Sequence, residues 1–523
     1  MVQGTHAIQQ DDRVNQARIP RRAIVILLVI AAIAVGGIYY LESAARSPAA
    51  SAPTAPLSRA PAARAAVLTG TAATISAKAA GELFSTDPVV VLADAARSES
   101  LTMAASDALA QSAPLLLLPG GTGPALTGQV RTEIGRLHAS YVLAVGLTAR
   151  ALSAELPGVS VVTTRAALPS VAAPAPLRTV ALLVRTGRRG ALSPAAAAAA
   201  ATARAAGARV IAMRGYDPGV YPAAIATLAR ARPQHVLAVG AGFGPAASLA
   251  AKVTVAETGV QLPGGGQVLF PGHRLVAMYG HPGTPGLGAL GEQGLAASIA
   301  RIRQLALPYR AMSHVPVVPA FEIIATVAQG SAGPSGMYSY ETSVAALRPW
   351  VDRAVRDGLY VILDLQPGRA SLLAQAKLYR PLLRMPGVGL ALDPEWKLQP
   401  GQLPLRQIGS VQVADVNSVI GWLAALTARY HLPQKLLVLH QFRLAMIQDE
   451  ARLDTRHSDL AIVIHMDGQG SPGAKVSTWD AVTAIAPRGV FFGWKNFFVK
   501  DHPMMDPAET MDRKPQPVMI SYQ

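Results

Sequence analysis

The chain has 523 residues, with 47 lysines and arginines against 31 acidic residues, a formal charge of +16, 51% hydrophobic residues and no cysteine. A chain this apolar has too many core-forming residues to be disordered throughout. The absence of cysteine excludes a disulfide framework, a thiol nucleophile and a cysteine-ligated metal site. Aromatic residues make up only 5% and the basic residues are scattered, so we predict no nucleic-acid partner. An anionic envelope or membrane surface fits the positive charge better.

An uncharged apolar run, residues 23–41, follows several arginines in the N-terminal segment 1–22. As a helix rising about 1.5 Å per residue, this run spans roughly 28 Å, close to the hydrocarbon thickness of a bilayer. The arginines predict that segment 1–22 is a cytoplasmic tail and that the remainder lies outside the cytoplasm. A cleaved signal peptide is the alternative, because Ser43-Ala44-Ala45 is a small-residue cleavage site. We therefore predict a single-pass cell-membrane protein, or a secreted protein if the segment is cleaved.

Residues 42–70 are rich in alanine, proline and serine, which predicts an extended linker. Beyond it, apolar strands alternate with helices and stop at glycines, a pattern typical of a parallel sheet covered on both faces. The phrase Tyr141-Val-Leu-Ala-Val-Gly146 recurs as His235-Val-Leu-Ala-Val-Gly240. This repeat predicts two related α/β units, residues 71–166 and 167–272, although short phrases also recur by chance in a chain rich in Ala, Val and Leu.

Part of the first unit has a recognisable pattern of strands and helices. The segments that carry it are Val89-Val-Val-Leu92, Ser106-Asp-Ala-Leu109, Ala113-Pro-Leu-Leu-Leu-Leu118 and Tyr141-Val-Leu-Ala-Val-Gly146. Through them, residues 87–162 resemble the cell-wall-binding repeats of Gram-positive surface proteins, which stack small α/β units. The resemblance implies attachment to an anionic cell-wall polymer without naming the residues that bind it. A purely structural α/β spacer is the alternative.

Two glycine-rich turns, Gly120-Gly-Thr-Gly123 and Gly240-Ala-Gly-Phe-Gly244, follow predicted strands, as phosphate-binding loops do. Neither turn has the G-x-G-x-x-G spacing of a dinucleotide-binding loop, and no P-loop lysine follows. We therefore predict no nucleotide partner and no cofactor.

The C-terminal region, residues 273–523, has close to the length of about 250 residues that is usual for a (β/α)8 barrel. It contains eight strand-like runs with amphipathic segments between them. The runs are residues 275–279, 320–325, 360–365, 388–392, 436–439, 461–464, 489–493 and 517–521. The predicted fold class is therefore α/β: a transmembrane helix, two small parallel-sheet units, and a C-terminal TIM-like barrel.

Nearly every predicted barrel strand contains or is followed by a polar side chain, including Glu322 within the second strand and Gln366 after the third. Chemistry in such barrels lies at the carboxyl ends of the strands. Because only 15% of the residues are charged, this convergence predicts a functional site at the barrel mouth. The predicted catalytic residues are Glu395, Asp393, Asp364 and Asp467. The predicted substrate-binding residues are Trp396, His281, His440, His465, Gln441, Trp494, Lys495 and Tyr522.

The most specific motif is Leu392-Asp393-Pro394-Glu395-Trp396. Strand alternation places both carboxylates on one face, about 6–7 Å apart along the chain. Two carboxylates this close do not both ionise readily, so one keeps its proton near neutral pH. An acid beside an ionised partner is what glycosidic bond cleavage requires, and Trp396 offers a face for a sugar. Alternatively, Asp393 is a cap, Glu395 is solvated and Trp396 is a packed loop anchor.

The Asp393-x-Glu395 pair resembles the arrangement in lysozyme-type muramidases and chitinase-like barrels, in which the glutamate is the acid. Together with Leu432-Pro-Gln-Lys435, His440-Gln441 and Ile464-His-Met-Asp-Gly468, it also looks like a family of uncharacterised secreted actinobacterial proteins. The first resemblance implies that Glu395 is the general acid and Asp393 its neighbour. The second implies location and fold. Asp364 or Asp467 remains as base, nucleophile or orienting group.

Other hydrolytic chemistries fit the motifs less well. His465-x-Asp467 and His440 permit a metal site completed by Asp364 or Asp393, but the H-x-x-x-H spacing of deacetylase-type barrels is absent, and we predict no metal. A G-x-S-x-G nucleophile elbow is also absent. We therefore predict a glycoside hydrolase acting on wall glycan or another polysaccharide. A non-catalytic wall-binding scaffold is the main alternative.

Overall fold

The structure is a computed structural model that describes residues 55–120 and 126–523. The predicted tail, the membrane helix 23–41 and residues 42–54 of the linker therefore lie outside the described residues, as do positions 121–123 of the first glycine-rich turn. Within the described ranges, no helix combines the length and the apolar character needed to cross a membrane. The membrane span stays a prediction.

The first α/β unit is built on a four-stranded parallel sheet. Its strands lie in the order Leu115–Leu118, Val89–Asp94, Tyr141–Val145 and Ser160–Val162. Its helices are Ala72–Leu83, Ser98–Gln111, Gly128–Arg136 and Ala149–Glu155. A short strand, Leu57–Ser58, pairs antiparallel with Phe84–Thr86 beside it. Helices cover both faces of the sheet, and its strands are therefore continuous apolar runs.

The second unit contains another four-stranded parallel sheet. Its strands lie in the order Ala65–Leu68, His235–Val239, Val180–Arg185 and Arg209–Met213, and its helices are Pro194–Ala205, Pro222–Ala231 and Ala246–Glu257. The two copies of the repeated phrase form equivalent strands. Tyr141–Val145 pairs with Val89–Asp94 in the first unit, and His235–Val239 pairs with Val180–Arg185 in the second. Strand Ala65–Leu68 lies within the range predicted as linker. This apolar run pairs with His235–Val239, and the folded region therefore begins earlier than predicted.

Two helices rich in small residues, Ala72–Leu83 and Pro194–Ala205, connect the two units through a shared core. Their hydroxyls also satisfy backbone amides of the edge strand Leu115–Leu118. The amide of Leu115 donates to Thr202 Oγ1 at 3.0 Å, and the amide of Leu117 donates to Ser76 Oγ at 3.0 Å. The side of this strand that faces the helices is thus covered, which removes an exposed sheet edge.

The C-terminal region is a closed barrel of eight parallel strands, which confirms the predicted barrel. The strands are Arg274–Gly280, Val317–Ala328, Tyr360–Leu365, Val388–Leu392, Lys435–Gln441, Leu460–Met466, Phe491–Asn496 and Met519–Tyr522. The first strand pairs with both the second and the eighth, which closes the sheet. A short strand, Ser339–Glu341, pairs antiparallel with the end of the second.

The outer layer of the barrel departs from the regular pattern at one connection. Its helices are Leu295–Met312, Val344–Arg356, Leu372–Leu378, Arg380–Leu383, Val413–Arg429, Pro472–Ile485 and Pro507–Met511. Between the fifth and sixth strands the described chain forms short 3₁₀ turns and the strand Ile447–Gln448, which pairs with Val411–Gln412. The sequence predicted a helix between strands, and here the chain contains Asp and Arg residues in place of an amphipathic run.

Apolar side chains fill the amino-terminal half of the barrel interior. Leu275, Ile362 and Val438 belong to one buried cluster. The segment that leaves the second α/β unit closes this end from below, because Leu269 and Phe270 join the same cluster. Every strand therefore has a fixed register at its base, and this positions the groups at its carboxyl end.

We predict that Leu68→Ala weakens the second sheet by about 2–4 kcal/mol, because Leu68 is buried in the shared core. Its carbonyl also accepts a hydrogen bond from the Gly240 amide at 2.9 Å. Hydrogen exchange should therefore become faster in His235–Val239. Leu57→Ala, at a side chain that is 55% exposed, is the matched control and should leave that exchange unchanged. Equal protection in both variants would contradict the assigned pairing.

Candidate active site

The inward-facing positions of the barrel change from apolar to polar toward its carboxyl end. Strand alternation turns every second residue inward, and beyond Leu275, Ile362 and Val438 the inward residues nearest the carboxyl end are titratable or hydroxyl-bearing. They are Tyr279, Glu322, Asp364, His440, His465, Lys495 and Ser521, all buried. Asp393 and Asp467 directly follow the fourth and sixth strands and are also buried. The predicted convergence of polar groups is therefore present, within the barrel as well as at its rim.

His440 lies at the centre of this layer and joins two carboxylates. Its Nδ1 is 2.9 Å from Asp467 Oδ2 and its Nε2 is 2.9 Å from Glu322 Oε1. A carboxylate only accepts hydrogen bonds, so both ring nitrogens donate and the ring is an imidazolium. Burial lowers the pKa of His440, but the Glu322 and Asp467 carboxylates raise it well above its ordinary value. His440 is therefore a buried cation held by two anions.

Lys495 supplies a second cation to the same layer. Its Nζ donates to Asp467 Oδ2 at 3.2 Å and lies 3.7 Å from the centre of the Tyr279 ring. Burial opposes ionisation of Asp467, but Lys495 and His440 lower the pKa of that carboxyl below its ordinary value. Burial likewise raises the pKa of Glu322, but His440, together with Lys495, lowers it further than burial raises it. Asp467 and Glu322 are therefore the two ionised acids of the layer.

The remaining carboxyl groups have their pKa values shifted the other way. Burial raises the pKa of Asp364 to about 7, partly offset by His440. Burial, followed by the neighbouring Glu395 and Asp364, raises the pKa of Asp393 well above its ordinary value. Burial, followed by the charge of Asp467, raises the pKa of Glu395 to about 7. Two cations thus balance two anions, and the raised pKa values of the other three acids mean that they keep their protons to a higher pH than an ordinary carboxyl does.

Asp364 lies below the rim of the cavity, and its Oδ2 atom accepts a hydrogen bond. Tyr279 donates its hydroxyl to Asp364 Oδ2 at 2.9 Å, and Gln366 donates to that same hydroxyl oxygen at 3.1 Å. Asp364 Oδ1 has no hydrogen-bond partner among the described residues and lies 4.0 Å from His440 Nε2. The Gln366–Tyr279–Asp364 chain therefore connects the cavity wall to the buried layer.

A cavity of about 570 Å³ opens at the carboxyl end of the barrel. Four predicted site residues are part of its wall: Glu395, Asp467, Trp396 and Lys495. Tyr279 and Gln366 also line it, as do apolar side chains of the rim such as Phe497. The Glu395 carboxyl accepts no hydrogen bond from the described residues. An acid with a raised pKa and an acid with a lowered pKa therefore face one cavity.

Two predicted substrate-binding residues, Trp494 and Tyr522, pack away from the cavity. Trp494 is fully buried, with its ring 5.5 Å from that of Trp479, because alternation turns Lys495 inward and Trp494 outward. Tyr522 faces the helix layer, where its hydroxyl is 2.6 Å from that of Tyr309.

The other three predicted polar contacts are bound to protein groups. His281 hydrogen-bonds Thr284 and Thr342, each at 3.1 Å. Gln441 is buried and donates to Glu450 at 2.7 Å. His465 hydrogen-bonds Ser521 at 2.7 Å, and burial lowers its pKa to about 4. These three residues, with His440, support the barrel mouth from beneath or beside the cavity wall.

The Asp393-x-Glu395 motif has a different geometry from the predicted one. The fourth strand ends at Leu392, and Pro394 starts a 3₁₀ turn, Pro394–Trp396. The turn leaves Asp393 buried beneath the rim and carries Glu395 to the cavity wall. The two carboxyls therefore do not share one strand face, although each still affects the ionisation of this end of the barrel. Asp393 Oδ1 has no partner among the described residues.

Glu322 and Tyr279 are the functional candidates missing from the predicted set. Both lie within strands, Tyr279 in the first and Glu322 in the second, which extends to Ala328. A single charged residue inside the apolar run from Val317 to Ala328 was a usable signal, because a buried charge requires a partner. The sequence does not show that this partner is His440.

Metal coordination has no support among the described residues, where no group of three or more His, Asp or Glu side chains is arranged to hold an ion. The side chains that came closest to the predicted alternative, His440 and Asp467, instead bond to each other.

Comparisons with known proteins identify no family for this chain. No protein-family profile and no curated protein matches the chain. A crystal structure of the Podospora anserina GH26-CBM35 beta-(1,4)-mannanase is similar at 11% identity, with a TM-score of 0.26. The similarity covers 48% of this chain and 56% of the mannanase chain. The resemblances to cell-wall-binding repeats and to a secreted actinobacterial family stay predictions, and we base the function on the side chains of this chain.

We predict that Glu322→Gln destabilises the barrel by about 3–5 kcal/mol, because it leaves the buried His440 cation short of one counter-charge. The pKa of His440 should fall toward its ordinary value of about 6.5. The destabilisation should therefore be largest below about pH 6.5, where the raised pKa contributes its full stability to the wild type, and should become smaller as the pH rises toward the wild-type pKa of His440.

Urea unfolding followed by tryptophan fluorescence measures this effect, since all five tryptophans lie in the barrel region. Glu292→Gln is the control: it removes a half-exposed partner of Arg301 and should cost less than about 1 kcal/mol. An equal loss in both variants would show that the Glu322–His440 pair is an ordinary contact.

Proposed function

We propose that the chain is a glycoside hydrolase in which Glu395 is the general acid and Asp467 is its ionised partner. The observation that carries the proposal is that both carboxyls line one cavity while their pKa values are shifted in opposite directions. Pairs of carboxyl groups whose environments separate their pKa values are the acid and base assignments of glycosidases.

The chemistry follows from these two protonation states. With a pKa of about 7, Glu395 is still protonated in about half of the molecules at neutral pH, and the protonated form donates its proton to the oxygen of the bond that breaks. Asp467, ionised and held by His440 and Lys495, stabilises or attacks the positively charged sugar that develops, or activates a water. Lys495 and His440 are positioning residues, since they hold the charge and orientation of Asp467. Asp364 and Asp393 lie beneath the cavity wall, where their neutral forms avoid adding further anions to the layer.

The shape of the site favours a polymeric substrate. A second cavity of about 400 Å³ shares Glu395, Trp396 and Leu405 with the first. The proposed acid therefore lies between two adjoining spaces, and a glycan occupying both would present an internal bond to it. Trp396 lines both cavities, so its ring is placed to pack against a sugar face.

We propose further that the enzyme acts at the cell envelope on wall glycan or another polysaccharide. The support is in the sequence: the apolar run 23–41, the arginines before it and the resemblance of residues 87–162 to cell-wall-binding repeats. On this proposal the N-terminal segment anchors the chain in the membrane and the α/β units hold it against the wall.

The test of catalysis is the release of reducing sugars from purified wall material and from soluble polysaccharides by the full chain in detergent. We expect Glu395→Gln and Asp467→Asn each to reduce the rate at least about 100-fold, because each removes one half of the acid–base pair. Asp480→Asn, on an exposed helix face, is the control and should keep wild-type activity.

The outcomes separate the proposal from its rival. No release by the wild type, or equal release by Glu395→Gln, defeats the mechanism. Wall binding that survives Glu395→Gln combined with Asp467→Asn, without turnover in the wild type, would favour a non-catalytic scaffold.

We also predict an alkaline limb in the pH profile of kcat/KM. Glu395 must be protonated to act as the acid, and its pKa is about 7, so kcat/KM should fall about tenfold for each pH unit above about 7. Asp467 remains ionised down to a pH below its ordinary pKa of about 3.9, so the rate should not fall between about pH 5 and 7. A rate that stays constant up to about pH 9 would exclude Glu395 as the acid.

A further inference from the structure

A cleft at the carboxyl edge of the second α/β sheet is lined mainly by arginines. The cavity has a volume of about 530 Å³. The residues that line it are Arg185, Thr186, Gly187, Arg188, Arg189 and Arg214. Arg185 ends the strand Val180–Arg185, Arg188 and Arg189 follow it, and Arg214 follows the neighbouring strand Arg209–Met213. Four arginines from two segments therefore line one cavity. We call this feature the arginine cleft.

The arginine cleft lies where open parallel sheets bind their ligands. Strand Val180–Arg185 lies between two parallel neighbours, Arg209–Met213 and His235–Val239. After Val180–Arg185 the chain forms Arg209–Met213 on one side and then crosses to form His235–Val239 on the other. The loops after Val180–Arg185 and His235–Val239 therefore leave toward opposite faces and open a crevice at the strand ends. The arginine-rich loop is the first of these two loops.

No acidic residue neutralises the cleft among the described residues. None of its four arginines forms an ion pair there, and none donates a side-chain hydrogen bond. Asp217, which follows the strand Arg209–Met213 in sequence, is engaged by Lys252 at 2.9 Å. Four like charges held together repel one another, so the arrangement raises the energy of the unliganded protein and favours an anion.

The loop that carries Arg188 and Arg189 is held in shape by its own backbone. Thr186 and Leu192 form an antiparallel bridge, and the amide of Gly187 donates to the carbonyl of Ala191 at 2.7 Å. The Thr186 hydroxyl donates to the Met213 carbonyl at 3.3 Å, which connects this loop to the strand that precedes Arg214. The cleft is therefore preorganised, and binding needs little ordering of the backbone.

We propose that the arginine cleft binds a phosphate-bearing anionic polymer. Guanidinium groups present paired N–H donors that match the oxygens of phosphate, which favours arginine over other cations for this ligand. All four arginines are exposed, so a bound anion stays partly in water and each contact is weak. A polymer with repeated charges compensates by engaging several arginines at once, whereas a single small anion does not.

This site is independent of the proposed glycosidase chemistry. It is built on the sheet of the second α/β unit, whereas the carboxyl groups lie in the barrel, and loss of either function leaves the other testable. The arginine cleft also assigns residues to a role for which the sequence alone offered none.

The test measures binding of the full chain in detergent to long-chain inorganic polyphosphate, with inorganic phosphate and the carboxylate polymer polyglutamate as comparison probes. Arg188→Gln combined with Arg214→Gln should weaken polyphosphate binding at least about tenfold, because it removes one charged contact from each of two segments. The affinity should also fall as the salt concentration rises.

The matched control is Arg178→Gln combined with Arg209→Gln. It removes the same charge from exposed arginines at the amino-terminal ends of the same strands and should change the affinity less than about twofold. An equal loss in both double variants would show attraction to net charge only and overturn the proposal. Absence of polyphosphate binding, inorganic phosphate binding as tightly as polyphosphate, or polyglutamate binding equally well would also overturn it. Unchanged glycosidase activity in both double variants would confirm that the two sites are separate.

Discussion

The site depends on one buried imidazolium, His440, held between the carboxylates of Glu322 and Asp467. A carboxylate at each ring nitrogen holds a proton there, so the His440 ring is doubly protonated and carries a positive charge. That cation allows two acids to remain ionised in the interior of a barrel, where an unpaired carboxylate would take up a proton. Removing the ring would leave two anions facing each other with only Lys495 to balance them.

The state of Glu395 follows from this balance. Once Asp467 is stabilised as an anion, its charge and the burial of the rim hold back the ionisation of the nearest cavity-lining acid. Burial in the same layer raises the pKa values of Asp364 and Asp393, which limits further negative charge below the mouth. The difference between a proton donor and an ionised partner thus arises from neighbours, since both are simple carboxylic acids.

Local patterns determine what the sequence predicts well. Apolar runs between helices located all eight barrel strands, and the polar residues that follow them identified Glu395, Asp467, Trp396 and Lys495 on the cavity wall. Residues whose role depends on a partner distant in sequence were harder to assign. Nothing local shows that Glu322 meets His440, or that strand Ala65–Leu68 completes a sheet whose other strands begin more than a hundred residues later.

Alternation misassigned some residues for a related reason. Trp494 and Lys495 are adjacent, and only the register of the seventh strand decides which of them faces the interior. A proline ended the regular strand before Glu395, so the two acids of the motif separated into a buried position and a rim position.

The segment beneath the barrel has a mechanical consequence. Gln434 lies at the base of the fifth barrel strand, and its backbone amide donates to the Gln267 carbonyl at 2.8 Å. Its side-chain oxygen accepts a hydrogen bond from the Leu269 amide at 2.9 Å. The side chain of Gln267 in turn donates to the carbonyl of Val255, in the last helix of the second unit. A stiff joint of this kind transmits orientation. A polymer bound on the α/β side would therefore reach the barrel mouth at a constant angle and distance.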